Sequence, residues 1–178
     1  TYSNDGDVTG KIAGSMNADY WIIKIDGSGT LTWATCYGGS SDDYGEAVSL
    51  LSDGYLVTGN SMSTDGQAIG NHGLNDFLVM KIDISGNVVW STCYGGSFDD
   101  AGYDIISLPD GGGIAFGLTG SSDGQVTGNH GEDDFWAVRF DNAGSLLWSK
   151  CYGGSDTDQG FEIVQSPITG RFLMVGTS

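Results

Sequence analysis

Basic residues and proline are both scarce in this chain of 178 residues, which has six Lys and Arg against 23 Asp and Glu, and only two Pro. The resulting net charge of −17 argues against nucleic acid as a partner, because a nucleic-acid-binding surface needs clustered Lys and Arg. It disfavours anionic membrane surfaces for the same reason. No apolar run approaches the length of a membrane span, so we expect no direct membrane insertion.

Cysteine and histidine are also rare, with three Cys and two His, and this removes two common kinds of site. An odd number of Cys without a CxxC pair argues against a disulfide scaffold, so we expect small, buried, free thiols. His72 and His130 occupy equivalent loops, without a second His or a Cys at zinc-ligand spacing. We therefore expect them to form hydrogen bonds in their loops rather than to ligate a metal.

Glycine, by contrast, is abundant, with 31 residues, and it helps to mark an internal repeat. The phrase Cys-Tyr-Gly-Gly-Ser begins at Cys36, Cys93 and Cys151, at intervals of 57 and 58 residues. One repeat of this length cannot bury its apolar face alone, so a fixed period predicts that the repeats stack on one another. The repeats span approximately residues 1–60, 61–120 and 121–178.

Each repeat contains four short apolar strands separated by Gly-rich turns. In the middle of the chain the strands are predicted at 103–108, 113–118, 134–140 and 145–152, and we call them A, B, C and D. This pattern predicts an all-β fold of four-stranded antiparallel blades, which form a β-propeller when repeated. The chain begins in a B–C loop, so each repeat is offset from a blade by two strands. Three blades are too few to close a ring, so closure needs further blades of the same chain or of copies.

Strand C ends in a cation in every repeat, at Lys24, Lys81 and Arg139. Asp104 and Glu162 in strand A are the candidate carboxylate partners for these cations. We expect such pairs to neutralise charge between strands rather than to form a functional site.

Three motifs carry a resemblance to a known group of repeats. They are Gly-Gly-Ser-x-Asp-Asp-x-Gly, the strand ending Val57-Thr58-Gly59, and Asp-Phe/Tyr-x-x-x-Lys-Ile-Asp-x-x-Gly-x-x-x-Trp. The whole chain resembles the β-propeller repeats of large secreted and cell-surface proteins of Bacteroidetes-type bacteria, which are related to the SBBP-type propeller repeats. The resemblance implies a β-propeller, an extracellular or cell-surface location and, often, export by type IX secretion, but no single activity. The first repeat departs from the pattern at 10–14, where the others read Gly-Asn-His-Gly.

Acidic residues cluster in the B–C loops and the D–A connections, which share one rim because the strands alternate in direction. The candidate metal ligands are Asp42, Asp43, Asp99, Asp100, Asp156 and Asp158 in the D–A connections, and Asp5, Asp7, Asp19, Asp65, Asp76, Asp123, Asp133 and Asp134 in the B–C loops. Carboxylates and loop carbonyls are the oxygen ligands that Ca²⁺ prefers, so one weak Ca²⁺ site per blade is one interpretation. The alternative is that these residues form Asx turns and cap tight loops, since the spacing matches neither an EF-hand nor a Ca²⁺-binding nonapeptide.

No catalytic set of residues stands out, because the carboxylates that could form a glycosidase pair recur in every repeat. The sequence therefore favours a non-catalytic extracellular module for binding, adhesion or spacing at a bacterial cell surface, with a glycan or a protein as the partner. Two alternatives stay open. One is the propeller domain of a secreted carbohydrate-active enzyme, and the other is a purely structural subunit of a surface filament or complex.

Overall fold

The computed structural model of the chain describes residues 1–3, 5–11 and 17–178, and its twelve strands lie within these ranges. The strands are β1 Tyr20–Ile25, β2 Leu31–Tyr37, β3 Asp43–Leu50, β4 Gly54–Ser61, β5 Asp76–Asp83, β6 Val88–Tyr94, β7 Asp100–Ser107, β8 Gly113–Thr119, β9 Asp134–Phe140, β10 Leu146–Tyr152, β11 Gln159–Gln165 and β12 Phe172–Thr177. The described ranges contain no helix long and apolar enough to cross a membrane. Most of the segment 10–14, where the first repeat departs from the Gly-Asn-His-Gly pattern, lies outside the described residues.

The strands form two complete four-stranded sheets, in the orders β3-β4-β5-β6 and β7-β8-β9-β10, together with the two-stranded sheets β1-β2 and β11-β12. All pairings of neighbouring strands are antiparallel. The all-β class and the A-to-D order within each sheet are therefore confirmed. Strands β1 and β2 correspond to C and D, and β11 and β12 correspond to A and B. Within the described ranges the sheets form no closed ring.

Strand A is longer than the sequence pattern predicts. Strand β7 begins at Asp100, three residues before the predicted start at Tyr103. Asp100 already lies opposite Thr119 in β8, and the register then shifts after Gly102. This irregularity breaks the alternation of apolar and polar side chains, so the sequence pattern does not predict the first residues of the strand. Ser61 in β4 is the residue equivalent to Thr119 in β8, because each lies opposite the first Asp of strand A. Since the second repeat was placed from residue 61, the third repeat begins at Thr119, close to the predicted boundary at 121.

Consecutive sheets contact each other through large aromatic side chains. Phe77 of β5 and Trp136 of β9 meet edge to face, with ring centroids 4.8 Å apart. Trp90 of β6 meets Phe140 of β9 in the same manner at 5.7 Å. The three Cys are free and buried, as predicted. The apolar core therefore lies between sheets as well as within them, which is why neither face of a complete sheet is polar.

Two of the cations at the end of strand C, Lys81 and Arg139, have carboxylate partners other than the predicted strand-A acids. Lys81 Nζ donates to Asp53 in the A–B turn of its own sheet at 2.9 Å, and Arg139 donates to Asp110 in the equivalent turn. The carboxylate of Asp104 instead accepts a hydrogen bond from the backbone N–H of Ile163 at 2.9 Å. The expected pairing with a carboxylate is thus seen for Lys81 and Arg139, but not with a strand-A partner. Strand C ends at the same edge of the sheet as the A–B turn, which brings the turn acids closer.

Candidate functional site: an acidic rim

A polar row crosses one end of each complete sheet, and we call this end the acidic rim. In the first complete sheet Asp43 lies opposite Ser61, and Ser61 lies opposite Asp76. In the second, Thr119 has the place of Ser61, between Asp100 and Asp134. All the residues of both rows have no exposed surface. Buried carboxylates need strong hydrogen-bond donors, so their partners define what the rim can do.

The strand-A carboxylates are held by the turn that precedes them and by hydroxyl groups at the end of strand B and in the loop that follows it. Asp100 accepts hydrogen bonds from the backbone N–H of Gly96 at 2.8 Å, from the Ser121 hydroxyl at 2.9 Å and from the Thr119 hydroxyl. Burial nevertheless raises the pKa of Asp100 to about 6, because desolvation outweighs these donors and the nearby carboxylate of Asp76 adds to it.

The same contacts recur in the other repeats. Asp43 accepts from the Gly39 N–H at 2.7 Å, from the Ser63 hydroxyl at 2.8 Å and from Ser61, and burial raises its pKa as well. Asp158 accepts from the Gly154 N–H at 2.6 Å. Three of the predicted metal ligands thus cap the Gly-Gly turn, which supports the Asx-turn interpretation for this group.

The exposed carboxylates of the B–C loops bind the D–A connection of the preceding sheet. Asp123 Oδ1 accepts from the backbone N–H of Ser97 at 2.7 Å, and this contact lowers the pKa of Asp123. Gln125 accepts from the Gly95 N–H at 2.9 Å through its side chain, and its own N–H donates to the Gly95 carbonyl at 3.1 Å. The Ser121 hydroxyl accepts from the Phe98 N–H at 2.9 Å. We call this set of contacts, in which loop 121–125 binds connection 95–98, the junction clamp.

The preceding junction has the same clamp, formed by loop 63–67 and connection 38–41. Asp65 accepts from the Ser40 N–H at 2.7 Å, and Ser63 accepts from the Ser41 N–H at 2.9 Å. Gln67 accepts from the Gly38 N–H at 2.8 Å. The sequence did not single out Ser63 or Gln67. The signal that could have found Gln67 is the triplet Asp-Gly-Gln, which occurs at the same place in two repeats.

The strand-C carboxylates are paired with histidine. Asp76 Oδ2 accepts from the backbone N–H of His72 at 2.9 Å and lies 2.7 Å from its Nδ1. Asp134 Oδ2 has the same two contacts with His130, at 3.1 Å and 2.6 Å. Burial raises the pKa of Asp76, and the contacts with His72 oppose that rise. The predicted hydrogen-bonding role of both His residues is therefore confirmed, and it is directed at predicted metal ligands.

The second oxygens of these strand-C carboxylates are buried without a hydrogen-bond partner. This holds for Asp76 Oδ1 and Asp134 Oδ1. A Cβ added to Gly95 would lie 2.6 Å from Asp76 Oδ1 and 2.7 Å from Asp100 Oδ2, so the two carboxylates converge beside this glycine. Asp134 and Asp158 converge beside the next such glycine, Gly153, in the same way. We call Asp76 with Asp100, and Asp134 with Asp158, the paired carboxylates.

The remaining candidate ligands lie apart from these pairs. Asp5, Asp7, Asp99 and Asp156 are exposed, Asp42 and Asp133 are half-buried, and Asp19 is buried at the start of β1. Asp42 accepts from the Ala18 N–H at 2.6 Å. Burial, Glu132 and Asp99 raise the pKa of Asp133. Among the described residues no three His, Cys, Asp or Glu side chains are grouped so that they could hold a metal ion. The fourteen candidates are therefore spread over several separate places on the rim.

The rim thus combines a repeated clamp with repeated carboxylate pairs. No protein-family model matches this chain, and a search of curated proteins finds no relative.

Proposed function

We propose that the chain is a non-catalytic β-propeller module that serves in binding, adhesion or spacing at a bacterial cell surface. The packing between sheets supports the propeller arrangement, since Phe77 in strand C of one sheet contacts Trp136 in strand C of the next. Such contacts between equivalent strands are those of consecutive blades. The cell-surface location follows from the resemblance of the repeat motifs.

The observation that carries the non-catalytic assignment is the repeated use of the rim carboxylates. Asp43 and Asp100 have the same donors, and Asp76 and Asp134 have the same His contacts. A catalytic pair of carboxylates needs two different environments that separate the two pKa values, and it needs access to substrate. Identical, buried and internally bonded acids in successive repeats fit a scaffold better than an active centre.

The test incubates the chain with a panel of polysaccharides and measures both retained carbohydrate and released reducing ends. We expect no release above a control without protein, for the unmodified chain and for Asp76→Asn alike. Release that Asp76→Asn abolishes would contradict the proposal and support the carbohydrate-active enzyme. Retention of one polysaccharide without release would assign binding, whereas no retention would favour a structural spacer.

We also propose that Ca²⁺ stabilises the rim, and that it does so at the paired carboxylates. The unpartnered, buried oxygens of Asp76 and Asp134 favour this location, because each converges with a second carboxylate beside a glycine. Backbone carbonyls or water would complete the oxygen ligands that Ca²⁺ requires. The test is thermal unfolding in excess Ca²⁺ and in EDTA, and we expect a higher Tm with Ca²⁺. Asp76→Asn should reduce this difference in Tm, whereas the exposed control Asp99→Asn should leave it unchanged. Identical transitions in the two solutions would refute the Ca²⁺ proposal.

A further inference from the structure

The end of the molecule opposite the acidic rim has a cleft between the two complete sheets, and we call it the turn cleft. Its volume is about 580 Å³, and the A–B turns 51–53 and 108–112 of the two sheets line it. The last residues of three successive A strands, Leu50, Ser107 and Gln165, line it as well. Both sheets that form its walls are complete, and its volume is in the range of small-molecule sites, about 300 to 1,000 Å³.

A buried ammonium group forms part of the wall of the turn cleft. Lys81, at the end of strand C, is 5% exposed, and its Nζ donates to Asp53 Oδ2 and to Asn142 Oδ1, each at 2.9 Å. These are its acceptors among the described residues, and an ammonium group has three N–H donors, so the third is left for a ligand oxygen. Because the charge of Lys81 is balanced by Asp53, this wall offers a donor beside an acceptor without a net charge.

Contacts between the two sheets hold the walls of the turn cleft in place. Asn142 belongs to the C–D turn of the second complete sheet, and its carbonyl oxygen accepts from Trp90 Nε1 of the first at 2.9 Å. On the other side of the cleft, the Ser107 hydroxyl donates to the Leu50 carbonyl at 2.7 Å and so joins the A strands of the two sheets. A preorganised wall of this kind binds a ligand without the cost of ordering its own side chains.

The polar wall of the turn cleft differs from the equivalent place at the preceding junction. There Ile84 is the residue equivalent to Asn142, so no side-chain amide faces the strand-C cation. Lys24, the equivalent of Lys81, donates to the Ile84 carbonyl at 3.2 Å instead. Unlike the acids of the rim, the Lys81, Asp53 and Asn142 group is therefore not a repeated feature of these two junctions, as expected of a site that a molecule needs once.

We propose that the turn cleft binds a neutral saccharide, such as the end of a glycan chain, and this inference rests on the proposed binding role. Sugar hydroxyl groups both donate and accept hydrogen bonds, so they match adjacent ammonium, carboxylate and amide groups. Leu51, Leu108 and Pro109 give the cleft an apolar wall against which the C–H face of a sugar ring can pack. The net charge of −17 disfavours an anionic ligand, and the buried ammonium of Lys81 disfavours a cationic one.

The first experiment titrates the isotope-labelled chain with glucose, galactose, mannose and N-acetylglucosamine and follows its amide signals by NMR. We expect at least one of these sugars to shift the signals of Asp53 and Gly111 and to leave the signal of Asp123 on the rim unchanged. Ser52→Tyr fills the cleft from an exposed position, so it should weaken this binding by about tenfold or more. The matched control is Ser122→Tyr, the same change at an exposed serine of the rim, which should bind the sugar like the unmodified chain.

The second experiment tests whether the ligand is neutral, by comparing each sugar with the uronate of the same configuration, such as glucose with glucuronate. The unmodified chain should bind the neutral sugar several-fold more tightly than the uronate. Asp53→Asn removes the charge of an exposed side chain and keeps an oxygen that can accept from Lys81, so it should raise the affinity for the uronate several-fold. The control Asp99→Asn, on the rim, should leave the preference unchanged.

Several outcomes would overturn the inference. They are the absence of a shift at Asp53 and Gly111 with all four sugars, equal binding by Ser52→Tyr and Ser122→Tyr, and a preference of the unmodified chain for the uronate. A polysaccharide that the unmodified chain and Ser52→Tyr retain equally would also overturn it, while the proposed binding role would stand. If no polysaccharide is retained, the binding role fails for polymers, and shifts caused by a free sugar would still support the turn cleft as its site.

Discussion

The carboxylates of Asp76 and Asp100, which belong to consecutive sheets, converge beside the Cα of Gly95. Asp76 Oδ2 lies against His72, and both oxygens of Asp100 accept hydrogen bonds, so the oxygen at the convergence without a partner is Asp76 Oδ1. Two buried carboxylates at such a place favour a bound proton or a cation over two free charges. The junction between sheets is therefore sensitive to pH, to glycine replacement and to the donors around it.

The first prediction concerns pH. Burial raises the pKa of Asp100 in the folded chain to about 6, from the ordinary value of 3.8, so the folded state binds this proton more tightly than the unfolded state. Its stabilising effect is complete below pH 3.8 and is lost as the pH rises through about 6. The free energy of unfolding should therefore fall by on the order of 3 kcal/mol across this window. Denaturant unfolding in EDTA at a series of pH values measures it.

The matched variants for this prediction are Asp100→Asn and Asp123→Asn. The first should make the fall in stability smaller, because no proton is bound at position 100, while the raised pKa values of Asp43 and Asp76 still contribute. The second removes a carboxylate whose pKa is lowered by Ser97, so it should leave the fall unchanged. The same dependence of stability on pH in Asp100→Asn as in the unmodified chain would be incompatible with a raised pKa at Asp100.

The second prediction concerns the glycine between the paired carboxylates. Gly95→Ala would place a methyl group 2.6 Å from Asp76 Oδ1 and 2.7 Å from Asp100 Oδ2, closer than van der Waals contact allows. We expect a loss of about 2 kcal/mol or more, because the neighbouring carboxylates are held by other bonds and cannot move freely. Gly27→Ala is the control, since nothing lies within 4 Å of its added Cβ. Equal effects of the two variants on chemical denaturation would argue against the convergence.

The third prediction concerns the junction clamp. Asp123→Ala removes the acceptor of the Ser97 N–H and should lower the free energy of unfolding, as for loss of a capping side chain. Ser122→Ala, in the same exposed loop, is the control and should change the free energy by less than about 0.5 kcal/mol. Hydrogen exchange at Ser97 should quicken in Asp123→Ala alone. An unchanged exchange rate there would count against the clamp.

The fourth prediction concerns the thiols. Burial raises the pKa of Cys93 and of Cys151 to about 12, and it raises the pKa of Cys36 in the same direction. Since the thiolate is the reactive form, a thiol reagent should label the folded chain only at the rate of unfolding. Three thiols should react at once in denaturant. Rapid labelling of the native chain at any of the three would contradict their burial.

The strands and their order could be predicted from the sequence because each has a local signal. Three of the four strands predicted in the middle of the chain, at 113–118, 134–140 and 145–152, match β8, β9 and β10 to within one residue at either end. Apolar runs bounded by Gly and Asp turns specify such strands without reference to the rest of the chain. Strand A was predicted to begin too late, because Asp100 and Gly102 resemble a turn when the partner strand is unknown.

The roles of the acidic residues could be predicted only in part, since they depend on contacts between repeats. The position of these acids on one shared rim could be predicted from strand direction alone. The burial of Asp100 and the exposure of Asp123 could not be predicted, because both are acids near glycine in the sequence. The role of Gln125 could not be predicted, because its hydrogen bond is to the backbone of Gly95, which belongs to the preceding sheet and lies thirty residues earlier.

The junction clamp has a consequence for how such a chain can change in evolution. Each junction joins the D–A connection of one unit to the B–C loop of the next, so duplicating or deleting one whole unit recreates an intact junction at the new boundary. A duplication of only part of a unit that ends between Gly38 and Gln67 would instead separate the two halves of one junction. Changes in length are therefore expected in steps of whole units. The two ends of the duplicated or deleted segment can lie anywhere in a unit, provided that they lie at equivalent positions of two units.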